Sequence, residues 1–173
     1  FSKSERKMAF EYFGIHAPES ISRKMIEGLD DPSVDIRIIS LKVLANLKRT
    51  TLDLVAGVMK DPVEMVRVEA VRALKSLPPS REIVDYVLEA LHTIQSERIK
   101  VELIQVLSGL EDYNVVDSVI PLLDDSSSWV QIETIELLKK RGDKSVVKNL
   151  EKLLHSENEE LVSIVEEAIE VLD

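Results

Sequence analysis

Two stretches of this chain carry nearly the same text thirty residues apart. "DDPSVDIRIISLKVL" runs from Asp30 to Leu44 and "KDPVEMVRVEAVRAL" from Lys60 to Leu74, with Asp, Pro and Arg at the same offsets. A repeat of this length constrains the fold more than any composition, because each copy must be one structural unit that stacks on the next. With Arg67 as the reference, the equivalent positions are Arg6, Arg37, Lys100 and Gln131, at spacings of 31, 30, 33 and 31 residues.

After each reference position comes a helical pattern. Val66, Ala70, Val71, Leu74 and Leu77 in one copy match Ile99, Leu103, Ile104, Leu107 and Leu110 in the next. Spacings of three and four place such residues on one stripe of an α-helix. Ser40 and Thr134 stand where Ala70 stands, and their hydroxyls are expected to bond back to the preceding turn. A second helical segment precedes each of these. Met25, Val55, Val87, Val119 and Leu150 form one apolar column, and Leu29, Met59, Leu91, Leu123 and Leu154 another. Thr51 and Ser80 read as N-caps, whose side-chain oxygens meet orphan N–H groups. Pro78 and Pro79 stop the preceding helix, and Pro121 predicts a kink. No segment alternates apolar and polar residues long enough to read as a strand.

Helix pairs of about thirty residues hide their apolar stripes only by stacking. The expected fold is therefore all-α, a right-handed α-solenoid of about five helix-pair repeats in one domain, 1–173. A leading helix or half repeat covers 1–15, and repeats follow at 16–48, 49–78, 79–111, 112–142 and 143–173. The last copy reads as an acidic cap, with about three extra residues before its end aligns. A first residue of Phe instead of Met leads us to expect further residues upstream.

The pattern Asp-Pro-x-x-x-Val-Arg-x-x-Ala-x-x-Ala-Leu, clearest in "DPVEMVRVEAVRAL", resembles the HEAT repeat, especially the short class found also in phycobilisome lyases. The resemblance covers essentially the whole chain. It implies that an Asp in the turn and an Arg opening the second helix form a hydrogen-bonded ladder, here Asp31 with Arg37 and Asp61 with Arg67. The third copy has Ile94 and Lys100, and the fourth keeps Asp125 but has Gln131, so the ladder is expected to stop after the second full copy. The resemblance also implies binding of other macromolecules along the face lined by second helices.

Composition narrows the chemistry. The chain has no Cys, which excludes thiolate metal sites and thiol nucleophiles and predicts a cytoplasmic, reducing setting. "FSKSERKMAFEYFG" lacks the apolar core and cleavage pattern of a signal peptide, and no apolar run reaches the ~20 residues of a membrane span. The net charge is −10, against general nucleic-acid binding, which needs clustered Lys and Arg. Residues 1–86 carry 14 basic and 13 acidic side chains, whereas residues 87–173 carry 8 and 19.

No active site assembles from the sequence. His16, His92 and His155 are far apart without partners at metal-binding spacing, and the His-Glu pairs of HEAT-like deoxyhypusine hydroxylases are missing. HEAT-like DNA glycosylases need a basic groove and aromatics that an acidic chain with one Trp does not offer. The five Gly are scattered, so no phosphate-cradling loop forms. "RGD" at Arg141 to Asp143 reads as a helix end with Gly142 and a cap at Asp143. Trp129 reads as a packing residue. We therefore expect neither catalytic residues, nor cofactor, nor metal.

The expected working surface is the outward face of the second helices. A step of about 100° per residue from the core stripe places outward Lys42 and Asn46, then Glu69, Arg72 and Lys75, then Glu102 and Gln105, then Glu133, Glu136 and Lys140. Column by column, Lys42 and Arg72 give way to Gln105 and Glu136, a gradient suited to a protein or peptide of complementary charge. The second hypothesis is a subunit of an enzyme complex of the lyase-associated type. The column Ile38, Val68, Val101 and Ile132 is expected to pack between repeats and not to floor an apolar groove.

Overall fold

In the computed structural model the described residues are 22–172, together with residues 2, 4, 5, 7, 8 and 12. Most of the leading helix or half repeat expected over 1–15, and His16, lie outside them. Ten α-helices and no strand occur among the described residues, and the chain is all-α, of the α-solenoid class. It forms two compact units, Phe1–Pro79 and Ser80–Asp173.

The N-terminal unit contains α1 (Ser22–Gly28), α2 (Val34–Asn46), α3 (Leu52–Val58) and α4 (Glu64–Ala73). These are two helix pairs, with α1 and α3 first and α2 and α4 second. The second helices pack on one another, and α1 packs on α2. Thr51 caps α3 by accepting the Leu54 N–H at 3.2 Å. α2 closes through a left-handed Lys48, φ 54°. The Arg49 N–H reaches Leu44 O at 2.8 Å and the Lys48 N–H reaches Ala45 O at 3.0 Å, which satisfies carbonyls the helix end leaves bare. The core is aliphatic: Ile36, Leu41, Leu44, Val55, Val66, Val68 and Val71 are sealed from water.

The C-terminal unit contains α5 (Arg81–Thr93), α6 (Glu97–Gly109), α7 (Val116–Val119), α8 (Ser128–Arg141), α9 (Val147–Leu150) and α10 (Glu159–Leu172). The second helices are α6, α8 and α10, and α8 packs against both of the others. Ser80, Ser96 and Ser127 cap α5, α6 and α8. Gly142 ends α8 at φ 67°, and the Asp143 carboxylate accepts the Ser145 N–H at 2.9 Å to start the next turn. The first helices α7 and α9 are brief and run into 3₁₀ turns at Ile120–Asp124 and Glu151–His155. Pro121 therefore does not kink an α-helix. It sits near the start of the 3₁₀ turn, where its missing N–H is least costly. Nor does the last copy need an insertion, since α10 begins 31 residues after α8.

The two small residues expected to bond back behave differently. Thr134 Oγ1 donates to Val130 O at 2.7 Å, whereas the Ser40 hydroxyl is fully buried without a partner. Ser40→Ala is therefore expected to stabilise the chain by about 1 kcal/mol, because an orphaned buried hydroxyl costs about that much. Thr134→Ala removes a made bond and a methyl group, and is expected to cost about 1–2 kcal/mol. Urea unfolding of both variants checks the contrast.

Candidate partner-binding face

The inter-helix turns fix how the second helices are presented. In each well-matched copy the Asp carboxylate accepts a backbone N–H two residues on, Ser33 at 2.7 Å from Asp31 and Val63 at 2.8 Å from Asp61. This local bond and the fixed φ of the following Pro set the turn. The Arg then reaches back to its own turn. Arg37 Nη1 donates to Asp31 O at 2.8 Å, and Arg67 Nη1 donates to Asp61 O at 2.6 Å. One rung crosses between copies, where Arg37 Nε and Nη2 grip the Asp61 carboxylate at 2.7 and 3.1 Å. Both side chains are nearly buried, 11 % and 8 % exposed. Burial alone would raise the Asp61 pKa, but the Arg37 bonds, the Val63 N–H and the charge of Arg37 hold it below its ordinary value.

The C-terminal unit holds a rung of its own, separate from that of the first two copies. In the C-terminal unit Lys100 Nζ donates to Asp125 at 2.5 Å, and Asp125 also accepts the Ser127 N–H at 3.0 Å. The Asp125 pKa is likewise lowered, Lys100 and the Ser127 N–H outweighing burial. Gln131, standing where Arg stands elsewhere, donates through Nε2 to Leu123 O at 2.9 Å. Lys supplies the charge and Gln the reach to a turn carbonyl, two roles that Arg combines. A cleft of about 420 Å³ beside the N-terminal rung is lined by Asp30, Gly57 and Lys60 as well as Arg37 and Asp61. Its Arg and Asp are already committed to each other.

On the second helices of the N-terminal unit, Lys42 and Arg72 flank Glu69 at 3.8 and 3.9 Å, and the Glu69 side chain is only 15 % exposed. Asn46 and Lys75 are exposed near the ends of their helices. In the C-terminal unit Glu102 is buried, 7 % exposed. This corrects the expected outward position. A helix in a stack is covered along its flanks as well as its back, so the free arc is narrower than a fixed step assumes. Gln105 and Glu133 are half-buried, and Glu136 and Lys140 are exposed.

Several cations of α8 are already engaged. Lys139 lies between Glu136 at 2.8 Å and Glu167 at 3.1 Å. Its pKa is raised, first by the Glu136 bond, with burial opposing and Glu167 adding. Lys140 donates to Ser108 O at 2.9 Å and pairs with Glu111 at 2.6 Å. Arg141 closes the end of α6, donating to Leu107 O at 2.7 Å, Glu111 O at 2.8 Å and Leu110 O at 3.0 Å. A guanidinium on bare C-terminal carbonyls answers both their hydrogen-bond need and the helix dipole. The Arg of the "RGD" tripeptide is thus consumed inside the fold. Arg141→Met is expected to cost about 2 kcal/mol in urea unfolding.

Sequence reasoning missed Glu167 and misplaced Trp129. Glu167 read as part of an acidic cap, although it stands 31 residues after Glu136 in the same column. Trp129 is 62 % exposed and is not a packing residue. It is the second residue of α8, a position held by the exposed Met65 in α4 and the exposed Arg98 in α6. That shared register was the available signal. The column Ile38, Val68, Val101 and Ile132 is covered, wholly at Val68 and partly at the others.

Among the described residues no three His, Asp or Glu side chains gather closely enough to hold a metal ion. No helix among them is long and apolar enough to cross a membrane. His92 and His155 are exposed in the last turns of α5 and of the 3₁₀ segment Glu151–His155.

A family model described as HEAT repeats matches residues 84–170. No curated protein sequence matches the chain. Among solved structures, a designed armadillo repeat protein is similar at 17 % identity and TM-score 0.59, over 99 % of this chain and 95 % of that one. The Escherichia coli protein YibA is similar at 22 % identity and TM-score 0.64, over 96 % of this chain and 60 % of that one. A second designed armadillo repeat protein, solved in complex with peptide (KR)4, is similar at 19 % identity and TM-score 0.55, over 95 % of this chain and 85 % of that one. At these identities the likeness is one of fold.

Proposed function

The chain belongs to the HEAT-repeat family, and on that premise we propose that it is a non-catalytic scaffold binding a protein or peptide along the face of its second helices. One observation carries the reading. The exposed side chains of the second helices change from copy to copy, Lys42 and Arg72 in the N-terminal unit against Glu136 and Glu167 in the C-terminal unit, over cores that are mainly aliphatic in both. A constant core with a varying outer stripe is how a repeat array presents a specific surface. A peptide-bound armadillo design of the same fold class supports it, and a chain without Cys suits the cytoplasm.

The test is selection of displayed random peptides on the purified chain, followed by binding of the winners to two variants. Glu136→Lys reverses a charge on the second-helix face, and Asp117→Lys reverses one on the first-helix face. Both residues are exposed, so both variants should keep the helical circular dichroism of the parent. The reading expects Glu136→Lys to weaken binding about tenfold and Asp117→Lys to leave it nearly unchanged. Winners that lose affinity only on Asp117→Lys would place the working surface on the opposite side and overturn it.

A further inference from the structure

Trp129 is the only tryptophan in the chain and is 62 % exposed. Trp129, Glu133, Glu136 and Lys140 follow one another at steps of four, three and four along α8, so they share one helix face. The same register on α10 gives Glu160, Ile164, Glu167 and Val171. The large exposed apolar side chains of the C-terminal unit are Trp129 and Val171, both in this register. The polar surroundings are acidic. Residues 80–173 carry 9 basic and 21 acidic side chains, net −12. Lys139 is held by Glu136 and Glu167, and Lys140 by Glu111 and the Ser108 carbonyl. Arg98 occupies the position of Trp129 on α6, and Glu160 occupies it on α10.

An exposed indole beside carboxylates is chemically selective. Its face attracts a cation through the ring quadrupole, and the nearby carboxylates add Coulomb attraction. A purely apolar partner would instead strip the carboxylates of water without replacing it. Arg98 repels a second cation on the α6 side, so the open approach to the ring is from the side of Glu160.

Resting on the reading of the previous section, we propose that this face takes an extended Lys- or Arg-rich segment of a protein. One cation lies over the Trp129 ring toward Glu160, and another lies at Glu136 and Glu167, whose two carboxylates share the single charge of Lys139 and so keep one negative charge to offer. Trp129 and Glu136 are seven residues apart, about 10 Å along the helix axis. About three extended residues span that distance, so the segment carries a basic residue at every third position.

The probe is a dye-labelled peptide with Arg at every third position, compared with the same peptide carrying Gln there. Because Trp129 is the sole tryptophan, indole emission reports on this site alone. The Arg peptide should shift that emission saturably and bind about tenfold more weakly when salt rises from 50 to 200 mM. The Gln peptide should not bind. Trp129→Ala, read by the anisotropy of the labelled peptide, should weaken binding about fivefold with circular dichroism unchanged. Equal binding of the Gln peptide, or binding indifferent to Trp129→Ala, overturns the proposal. If binding is then still lost on Glu136→Lys, the second-helix face survives and only the tryptophan-centred basic site fails. If Asp117→Lys abolishes it instead, both readings fail.

Discussion

Asp61→Ala is expected to cost the chain about 3–5 kcal/mol at pH 7, the usual price of stranding one partner of a buried ion pair. The variant leaves Arg37 nearly buried with only the carbonyls of its own turn, and it also strips the Val63 N–H and the Arg67 neighbourhood of their anion. The pH dependence identifies the cause. The folded-state pKa of Asp61 lies below its ordinary value, so its contribution is present at pH values above that ordinary value, about 3.9. The contribution fades as pH falls through the lower folded-state pKa, because the protein must then release the ion pair to take up the proton. Melting temperatures of parent and variant should therefore differ strongly at pH 7 and 5 and draw together as pH falls below the ordinary carboxylate value. A difference below about 1 kcal/mol at pH 7 would mean the rung is surface decoration.

Val68→Ser is the second large effect. Val68 is wholly buried, so the change empties part of the core and seals a hydroxyl into it. Together these should cost about 3 kcal/mol, or about 10 °C in melting temperature. Val101→Ser, at the half-buried equivalent in α6, should cost roughly 1 kcal/mol. Peptides selected on the parent should still bind both variants at a temperature where each is folded. Unchanged melting with lost binding would instead make this column part of a groove floor.

Most of the fold was legible because stacking demands periodicity. The spacing of Arg37, Arg67, Lys100 and Gln131 marks the openings of four second helices, and Thr51, Ser80 and Gly142 mark their ends and neighbours by local chemistry alone. The misses are of another kind. Pro121 opens a 3₁₀ turn, where its missing N–H is least costly, because the first helix before it is too short to be kinked. The Lys100–Asp125 rung escaped because a pattern match requires the same residue, whereas the physics requires only a cation within reach of a carboxylate. Glu102 and Trp129 traded their expected places because helical angle gives direction, and exposure depends on which neighbours cover that direction. The face itself was foreseeable. Which of its side chains are spent on internal pairs, such as Lys139, Lys140 and Arg141, required coordinates.

Hydroxyl-radical footprinting of the C-terminal unit with a selected peptide bound tests the central claim most directly. Trp129 and Val171 lie outward on second helices, whereas His92 and His155 lie on the first-helix side, and all four are exposed. The account predicts that the peptide protects Trp129 and Val171 from oxidation while His92 and His155 react as in the free protein. Protection of His92 and His155 with Trp129 and Val171 still reactive would contradict it.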